Sequence, residues 1–485
     1  MTRPWLCRWC GTGSLTLLLG LSGCHSIASA PEISLPFAVP PAWSSAEAGT
    51  RIPSDSLAQW WLRFGDPLLV SLVTKAMRSN TSVNGAQATL HQAQALRNVA
   101  AAALFPTLGS SASVQRGNAA QSPTVNNFNA GLNAGWELDI FGANRSALKA
   151  SEANASASAA SLGEVQVSIA AEVALNYITL RASQLRLTIA MANLASQLET
   201  LQITQWRQQA GLVTELDTEQ ARAAAEQTRA QVPPLQVSIG QALHALAVLT
   251  GQPPSAQVAA LTPDRPIPQA PPDLAVALPR ETLRQRADVK AAEFQVTASV
   301  ARVAQARAVR APDFSLGGSL GLSALTLGTL GNSASVVHTV LANVAFPLFD
   351  GGAARAQVRA QEAALDQSLT SYRAAVLTAL KDVEDALVAL QGDRERLQPL
   401  QTAARAATAA ADLARQRYGG GLIDFQTVLE TQRTQFGAQD AVALAVGAVS
   451  ADHVQLYKAL GGGWTPDATD AQARPVIDGL RIPPP

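Results

Sequence analysis

The side chains that most often form catalytic or metal centres are few in this chain and lie far apart. Its five histidines are spread from residue 25 to residue 453, and it has only three cysteines. No glycine-rich phosphate loop follows a strand-like segment. With 36 basic and 36 acidic residues, the chain also offers no excess of positive charge for nucleic acid. We therefore predict a protein that is not an enzyme and needs no metal or cofactor.

Cys24 is the one residue whose surroundings predict a definite reaction. A short apolar run follows Arg3 and Arg8 and ends in "LSGC", Leu21–Cys24. The run is too short to span a hydrocarbon core of about 30 Å as a helix, so residues 1–23 are predicted to be a signal peptide. A plain secretory signal or a weak membrane anchor is the alternative.

The tetrapeptide before the mature chain resembles a bacterial lipobox, in which the cysteine becomes the acylated first residue. This resemblance makes Cys24 the lipid attachment site. Cys7 and Cys10 would leave with the signal peptide, so no disulfide is expected. His25 stands where an Asp would retain a lipoprotein at the inner membrane, so the resemblance points to the outer membrane.

A second set of polar side chains lies on a two-faced strand. In "FNAGLNAGWELDIFG", Phe128–Gly142, apolar residues alternate with small or polar ones, which is typical of a strand with one apolar and one polar face. Four strands are predicted, at about 106–117, 127–140, 313–323 and 336–348. The polar face of the second would carry Asn129, Asn133, Glu137 and Asp139.

The elements that position these strands occur twice in the chain. "LDIFGANR" matches "FPLFDGGAAR", and "RQQAGLVTELD" matches "RYGGGLIDFQ", with an offset of about 206–211 residues. Such ordered matches indicate an internal duplication. We predict a tether at 24–54, a first repeat at 55–250, a proline-rich linker at 251–280, a second repeat at 281–462 and a tail at 463–485.

Each repeat contains one very long helix. Proline-free sequence predicts a helix over Ala143–Gln209, about 100 Å long. Its counterpart runs over Gly352–Tyr418, with a kink expected at Pro399. Both helices carry apolar residues at alternating spacings of four and three, the pattern of coiled-coil seams. Ordinary packing within a helical bundle would explain these seams equally well.

The strand lengths suit a membrane β-barrel. Strands of about 9–11 residues cross a bilayer, but their edges must close on one another because lipid offers no hydrogen bonds. The smallest such barrels have about eight strands, so four strands require several copies, and three copies would supply twelve. A soluble four-stranded sheet packed on helices is the alternative. The lipobox, together with the lack of a transmembrane helix, favours the barrel.

Several motifs together resemble the TolC-like outer-membrane factors, in particular their lipoprotein, NodT-like branch. They are "WWLRFGDPLLVSLVTKAMRSN", "LRQRADVKAAE", "FPLFDGGAAR" and the turn "RYGGGLIDFQTVL". Ala287 stands where relatives often carry Pro. The resemblance implies a mainly α fold with membrane β-strands, in which a homotrimer closes a 12-stranded barrel above a long α-helical barrel. It further implies an exit duct of tripartite RND-type pumps, working with a periplasmic adaptor protein and an inner-membrane pump.

The same resemblance places a constriction at the periplasmic tips, Gly211–Asp217 and Gly419–Glu430. Candidate gate acids are Glu215, Asp217, Asp424 and Glu430, with Arg207, Arg417 and Tyr418 as latch partners. Capping offers a simpler explanation, because Thr214 with Asp217 matches a capping box and Asp424 can cap its helix.

Two rival functions remain open from the sequence. A trimeric coiled-coil surface or structural protein would share long helices and a barrel, but it normally has one membrane segment near a chain end. A duct for protein secretion would share the whole architecture. The resemblance favours efflux of small toxic compounds or drugs.

Overall fold

The computed structural model describes residues 37–44, 57–118, 124–257, 261–271 and 279–465. Cys24 and the predicted signal peptide lie outside the described residues, as do parts of the predicted tether, linker and tail. Residues 39–465, where described, belong to one unit.

Both halves of the chain contain a similar succession of elements. The first half holds α1 (Pro67–Ser79), α2 (Thr81–Ala102), β1 (Thr107–Gly117), β2 (Val125–Leu138), α3 (Ala143–Gln209), α4 (Glu215–Arg229) and α5 (Val232–Leu249). The second half holds α6 (Pro279–Gln285), α7 (Ala287–Ala308), β3 (Asp313–Ala324), β4 (Val336–Ala345), α8 (Ala353–Gly419) and α9 (Phe425–Ala459). The halves differ in that the first has two helices, α4 and α5, where the second has the single helix α9. Short 3₁₀ helices lie at Trp60–Phe64, Pro254–Gln257, Leu327–Thr329 and Ser333–Ser335.

The two long helices, α3 and α8, have 67 residues each and begin alike. Each is preceded by a glycine with a left-handed backbone, Gly142 at φ 79° and Gly352 at φ 88°. A side chain disfavours this conformation, which explains the glycine in "FGANR" and in "DGGAAR". At 1.5 Å per residue each helix is about 100 Å long. Helix α8 continues through Pro399.

The four strands form one antiparallel sheet in the order β1-β2-β3-β4. Its register places apolar residues opposite apolar ones, because Leu132 pairs with Leu320 and Trp136 with Leu316. The small and polar residues collect on the other face, where Asn133 pairs with Ser319. One face of the sheet is therefore apolar and the other polar, as the alternation predicts.

The main core lies among the helices, away from the sheet. Trp60 is fully buried and stacks on Tyr457 of α9, with ring centroids 5.5 Å apart. Tyr177 of α3 is also fully buried and donates a hydrogen bond to Asp66 Oδ2 at 2.7 Å. Asp66 in turn accepts from Leu68 N and so caps α1. These contacts join α9 to the 3₁₀ helix Trp60–Phe64 and the start of α1 to α3.

The predicted seams differ in their burial. In α8 the seam is mostly buried, with Val376 and Val383 fully covered. In α3, Met191 is 51% exposed and Leu198 is 36% exposed. Apolar side chains left open on so long a helix need a further packing partner.

The helical stretch Glu215–Leu249 is long and apolar enough, by length and composition alone, to cross a membrane. From the sequence we predict no transmembrane helix, because no segment after the signal peptide reaches 18 consecutive apolar residues. A helix in the core of a bundle meets the same criterion, so this finding is weak by itself. Leu243 and Leu246 of α5 are buried in the core that also contains Tyr177 of α3, and we therefore assign α5 to the helical bundle.

Candidate functional site: the strand faces and the helical tips

The first candidate region is the sheet, whose apolar face is open. Leu108 on β1, Leu132 on β2 and Val340 on β4 are 73%, 48% and 81% exposed. Edge strands β1 and β4 are exposed along their whole length. An exposed apolar sheet with two unpaired edges is a surface for lipid and for further strands.

Polar side chains on the opposite face bond to one another across the strands. Asn133 Nδ2 donates to Ser111 Oγ at 2.9 Å, and Asn129 Nδ2 to Ser113 Oγ at 3.5 Å. Glu137 lies on the same face, opposite Ser315. Three of the four predicted lumen residues therefore share one polar face.

The prediction that Asp139 is a strand residue is wrong. Strand β2 ends at Leu138, and the Asp139 carboxylate accepts hydrogen bonds from the backbone N–H groups of Asn144 and Arg145 at 3.0 and 2.8 Å. It also pairs with the Arg145 guanidinium at 3.1 Å. The first N–H groups of a helix lack partners within the helix, so this carboxylate stabilises the start of α3.

In the second repeat, the Asp350 carboxylate stabilises the start of α8 in the same way. It accepts from the N–H groups of Gly352 and Ala354, both at 2.8 Å. These bonds hold the pKa of Asp350 below its usual value. The matching of "LDIFGANR" with "FPLFDGGAAR" could have revealed both aspartates as helix caps.

The second candidate region comprises the two turns at the far ends of α3 and α8. After α3, Gly211 adopts φ 74° and Leu212 N donates to Arg207 O at 2.8 Å. After α8, Gly421 adopts φ 72° and Leu422 N donates to Arg417 O at 2.9 Å. Both ends are left-handed glycine turns of the Schellman type, which is why each repeat carries a glycine there.

Arg207 links these two turns. Its Nη1 and Nη2 atoms donate to the carbonyl oxygens of Tyr418 and Gly419, at 3.1 and 3.0 Å. The guanidinium lies 4.3 Å from the centroid of the Tyr418 ring. A cation on the last carbonyls of α8 complements the negative end of the helix dipole. Tyr418 itself is buried and packs on Phe425, with centroids 5.5 Å apart.

Two of the predicted gate acids cap helices. Thr214 and Asp217 form a capping box at the start of α4, with Thr214 N donating to Asp217 Oδ2 at 2.9 Å. Asp424 Oδ1 accepts from Thr427 N at 2.9 Å and from the Thr427 hydroxyl. Both bonds to Thr427 lower the pKa of Asp424, so its carboxyl is ionised at neutral pH. Glu215, Glu430 and Arg417 are exposed.

Arg286 was not singled out from the sequence, yet it organises the start of α7. It is 8% exposed and donates to Asp288, to Asp382 Oδ2 at 3.1 Å and to the carbonyl of Ala459 at 3.0 Å. Asn80 stands at the corresponding place in the first repeat. Its Nδ2 donates to Leu249 O at 2.9 Å, so both residues bind a carbonyl near the end of the last helix of their repeat. Comparing "RSNTSV" with "RQRADV" would have pointed to both residues.

A sheet with an open apolar face, joined to helices about 100 Å long, fits a membrane channel with a long helical extension. The model of the outer membrane efflux protein family matches residues 72–252 and 278–462. The chain belongs to this family, and the fold class predicted from the sequence is confirmed.

Relatives and solved structures agree with this assignment. The chain is 34% identical over 470 residues to the pyoverdine export outer membrane protein OpmQ of Pseudomonas aeruginosa, covering 94% of this chain and 96% of OpmQ. It is 27% identical over 459 residues to SilC of Salmonella typhimurium, a probable outer membrane lipoprotein, covering 93% and 98%. The structure of the outer-membrane channel OprN superposes with a TM-score of 0.82 at 35% identity, covering 88% and 98%. The protein is thus an outer-membrane efflux channel protein.

Proposed function

We propose that this protein is the trimeric exit duct of a tripartite efflux system and exports small toxic compounds or drugs across the outer membrane. The observation that carries the proposal is the four-stranded sheet with one open apolar face and two unpaired edges, borne on paired long helices. Four strands cannot close in lipid, whereas three copies supply about twelve, within the range of known barrels. The exposed apolar residues of α3 would then pack against a neighbouring copy.

We further propose that Cys24 carries the lipid and that the protein needs no other cofactor. The lipobox supports this assignment, as does the similarity to SilC, a probable outer membrane lipoprotein. Acyl chains on Cys24 would help to hold the protein in the outer membrane, because each buried CH₂ contributes about 0.8 kcal/mol. A closed barrel would hold it there as well.

The partners proposed are a periplasmic adaptor protein and an inner-membrane pump. A passive duct has no energy source of its own, and the scattered histidines offer no catalytic centre, so we propose that the protein is not an enzyme. The long helices would carry the duct across the periplasm towards the pump.

The gate is proposed to lie at the two glycine turns. Arg207 would act as a latch, because it holds the end of α8 from α3. Arg417 occupies the corresponding place in the second repeat and is exposed, so in a trimer it could reach the end of α3 in the neighbouring copy. Asp217 and Asp424 would combine capping with a negative field at the constriction, to which Glu215 and Glu430 add charge.

Proteins are the rival cargo for such a channel. The relative OpmQ is a pyoverdine export protein, which favours a small molecule as cargo. The two internal strand pairs, each flanked by long helices, disfavour a coiled-coil surface protein.

Deletion of the gene tests the proposed function. Cells lacking the protein should become sensitive to at least one compound in a broad panel of antibiotics, solvents and metal salts, and a plasmid copy should restore resistance. The matched control is a plasmid copy that encodes Cys24→Ala and separates the role of the lipid from that of the duct. An unchanged profile across the panel would count against small-molecule efflux.

A further inference from the structure

Four polar residues follow one another at intervals of seven along α3, and we call them the polar column: Arg186, Asn193, Thr200 and Arg207. At 3.6 residues per turn, this interval keeps them on one side of the helix. Each side chain forms a hydrogen bond with the hairpin made by α8 and α9. The polar column therefore joins α3 to that hairpin over about 30 Å.

The two middle members of the column make buried contacts with side-chain amides of α9. Asn193 is 8% exposed, and its Nδ2 donates to Gln439 Oε1 at 2.9 Å. Gln432 is 3% exposed, and its Nε2 donates to Thr200 Oγ1 at 3.0 Å. From the first contact to the second, α3 advances by seven residues and α9 goes back by seven. Both contacts therefore belong to one antiparallel register of the two helices.

The outer members of the column bind a carboxylate and two carbonyls of the same hairpin. Arg186 donates from Nε and Nη2 to the two carboxylate oxygens of Asp440, at 2.6 and 3.1 Å. At the other end, Arg207 donates to the carbonyls of Tyr418 and Gly419. The polar column thus ends at the proposed latch.

The apolar seam of α3 does not fix this register by itself. Apolar residues that recur every seven positions match again when one helix slides by seven residues, which is about 10 Å. Such a slide in one direction places Thr200 opposite Phe425, and in the other direction it places Asn193 opposite Val446. Either slide leaves a buried polar group against an apolar side chain, which is costly. A polar residue within such a seam is an effective way to specify register.

We propose that the two middle contacts position the gate, because they set the register in which the hairpin of α8 and α9 lies along α3. In this register the carbonyls of Tyr418 and Gly419 lie within hydrogen-bonding distance of the Arg207 guanidinium. A slide of about 10 Å would separate them. Asn193 and Thr200 are therefore positioning residues, whereas Arg207 makes the latch contact. This positioning role rests on the proposed gate at the two glycine turns.

The test replaces one middle contact with an apolar pair, Asn193→Leu with Gln439→Leu, in the full-length, detergent-extracted protein. Gln439 also donates to the Thr408 hydroxyl of α8 at 3.3 Å, but that hydroxyl keeps its own bond to Ala404 O. Replacing a buried polar pair with apolar residues is often neutral or stabilising, so the melting midpoint should be equal to that of the wild type or higher.

Hydrogen exchange at the tip is the readout that reports register. A peptide spanning 417–424 contains the second glycine turn, and its exchange should accelerate at least roughly threefold in the Leu pair. A peptide spanning 450–457, in the part of α9 that packs on Trp60, should exchange as in the wild type. A contact that contributed only to stability would instead lower the melting midpoint and accelerate both peptides together.

The matched control exchanges the two amides, Asn193→Gln with Gln439→Asn. It keeps a hydrogen-bonding side chain on each helix and the same total length, so the tip should exchange as in the wild type. Wild-type exchange at 417–424 in the Leu pair would overturn the proposal, as would equal acceleration at 450–457 or a swapped pair that behaves like the Leu pair.

A second variant covers the case in which the Leu pair fails to fold. Thr200→Val with Gln432→Leu removes the other middle contact with little change in the volume at residue 200, and unchanged exchange at 417–424 in that variant would equally refute the positioning role. Melting and hydrogen exchange do not depend on transport. Failure of the proposed export function would therefore be distinguishable from failure of this inference.

Discussion

Replacing Arg207 with Ala should loosen the end of α8 by an amount that can be worked out from the structure. The side chain makes two charge-assisted hydrogen bonds, to the carbonyls of Tyr418 and Gly419, and lies over the Tyr418 ring. Hydrogen bonds to charged groups contribute about 1.5–3 kcal/mol each. Because Arg207 is half-buried and both bonds share one side chain, we take about 2 kcal/mol for the whole contact.

A loss of about 2 kcal/mol raises the equilibrium constant for local opening roughly 30-fold, since about 1.4 kcal/mol corresponds to a factor of ten. The amides that report this opening are those of the glycine turn, where Gly420 N, Gly421 N and Leu422 N donate to the end of α8. Hydrogen exchange of a peptide spanning 417–424, measured on the intact protein, should accelerate by about that factor. Single-channel conductance in planar bilayers tests whether the opening widens the duct.

Two further variants show whether the effect comes from the geometry of the Arg207 contact, from its charge or from the loss of any arginine near the tip. Arg207→Lys keeps the charge but loses the planar fork, so its exchange should fall between that of the wild type and that of the Ala variant. Arg222→Ala removes an exposed arginine paired with Glu219 on α4 and should leave both measurements unchanged. Wild-type exchange in Arg207→Ala would refute the latch. Faster exchange with unchanged conductance would show that Arg207 stabilises the turn but is not part of the gate.

The remaining predictions concern the acids of the tip and the buried arginine near the core. Asp424→Asn with Glu430→Gln removes two charges and keeps a capping side chain, whereas the corresponding Ala pair removes the cap as well. If the charges form the gate, both pairs should raise conductance and antibiotic leak, and wild-type conductance in the Asn/Gln pair would leave Asp424 as a cap alone. Arg286→Met should lower stability by about 1.5–3 kcal/mol because it removes the charge-assisted hydrogen bonds to Asp288 and Asp382, whose partly exposed carboxylates can still be solvated. Thermal unfolding measures this loss against Arg280→Met, an exposed control, and equal melting of the two variants would show that the buried ion pairs contribute little.

Much of the architecture was predictable because it depends on periodicity. The alternation in Phe128–Gly142 predicted the two faces of β2, and the register of the sheet then aligned the apolar residues of its neighbours. The boundaries Ala143 and Gln209 of α3 followed from the absence of proline and from the glycines at both ends. Helical and extended backbones impose their own repeats on a sequence, so such patterns can be read without knowledge of the fold.

The functional details depended on residues that are distant in sequence. Asp139 had the alternation of a strand residue, yet the nearby start of α3 offered its carboxylate unpaired N–H groups, and hydrogen bonding outweighed the pattern. Arg207 and Tyr418 were both named as latch partners, but only the packed helices showed that the guanidinium binds the last carbonyls of α8.

The sequence by itself determined the repeats, the strand faces and the long helices, and it predicts lipid attachment at Cys24, because local backbone geometry and short motifs leave regular traces in the order of residues. Only the tertiary structure decided that Arg286 would be buried beside Asp382 and that Arg207 would bind the last carbonyls of α8. The protonation of a carboxyl and the free energy of an ion pair depend on burial and on neighbouring charges, and both are set only when distant segments of the chain pack together.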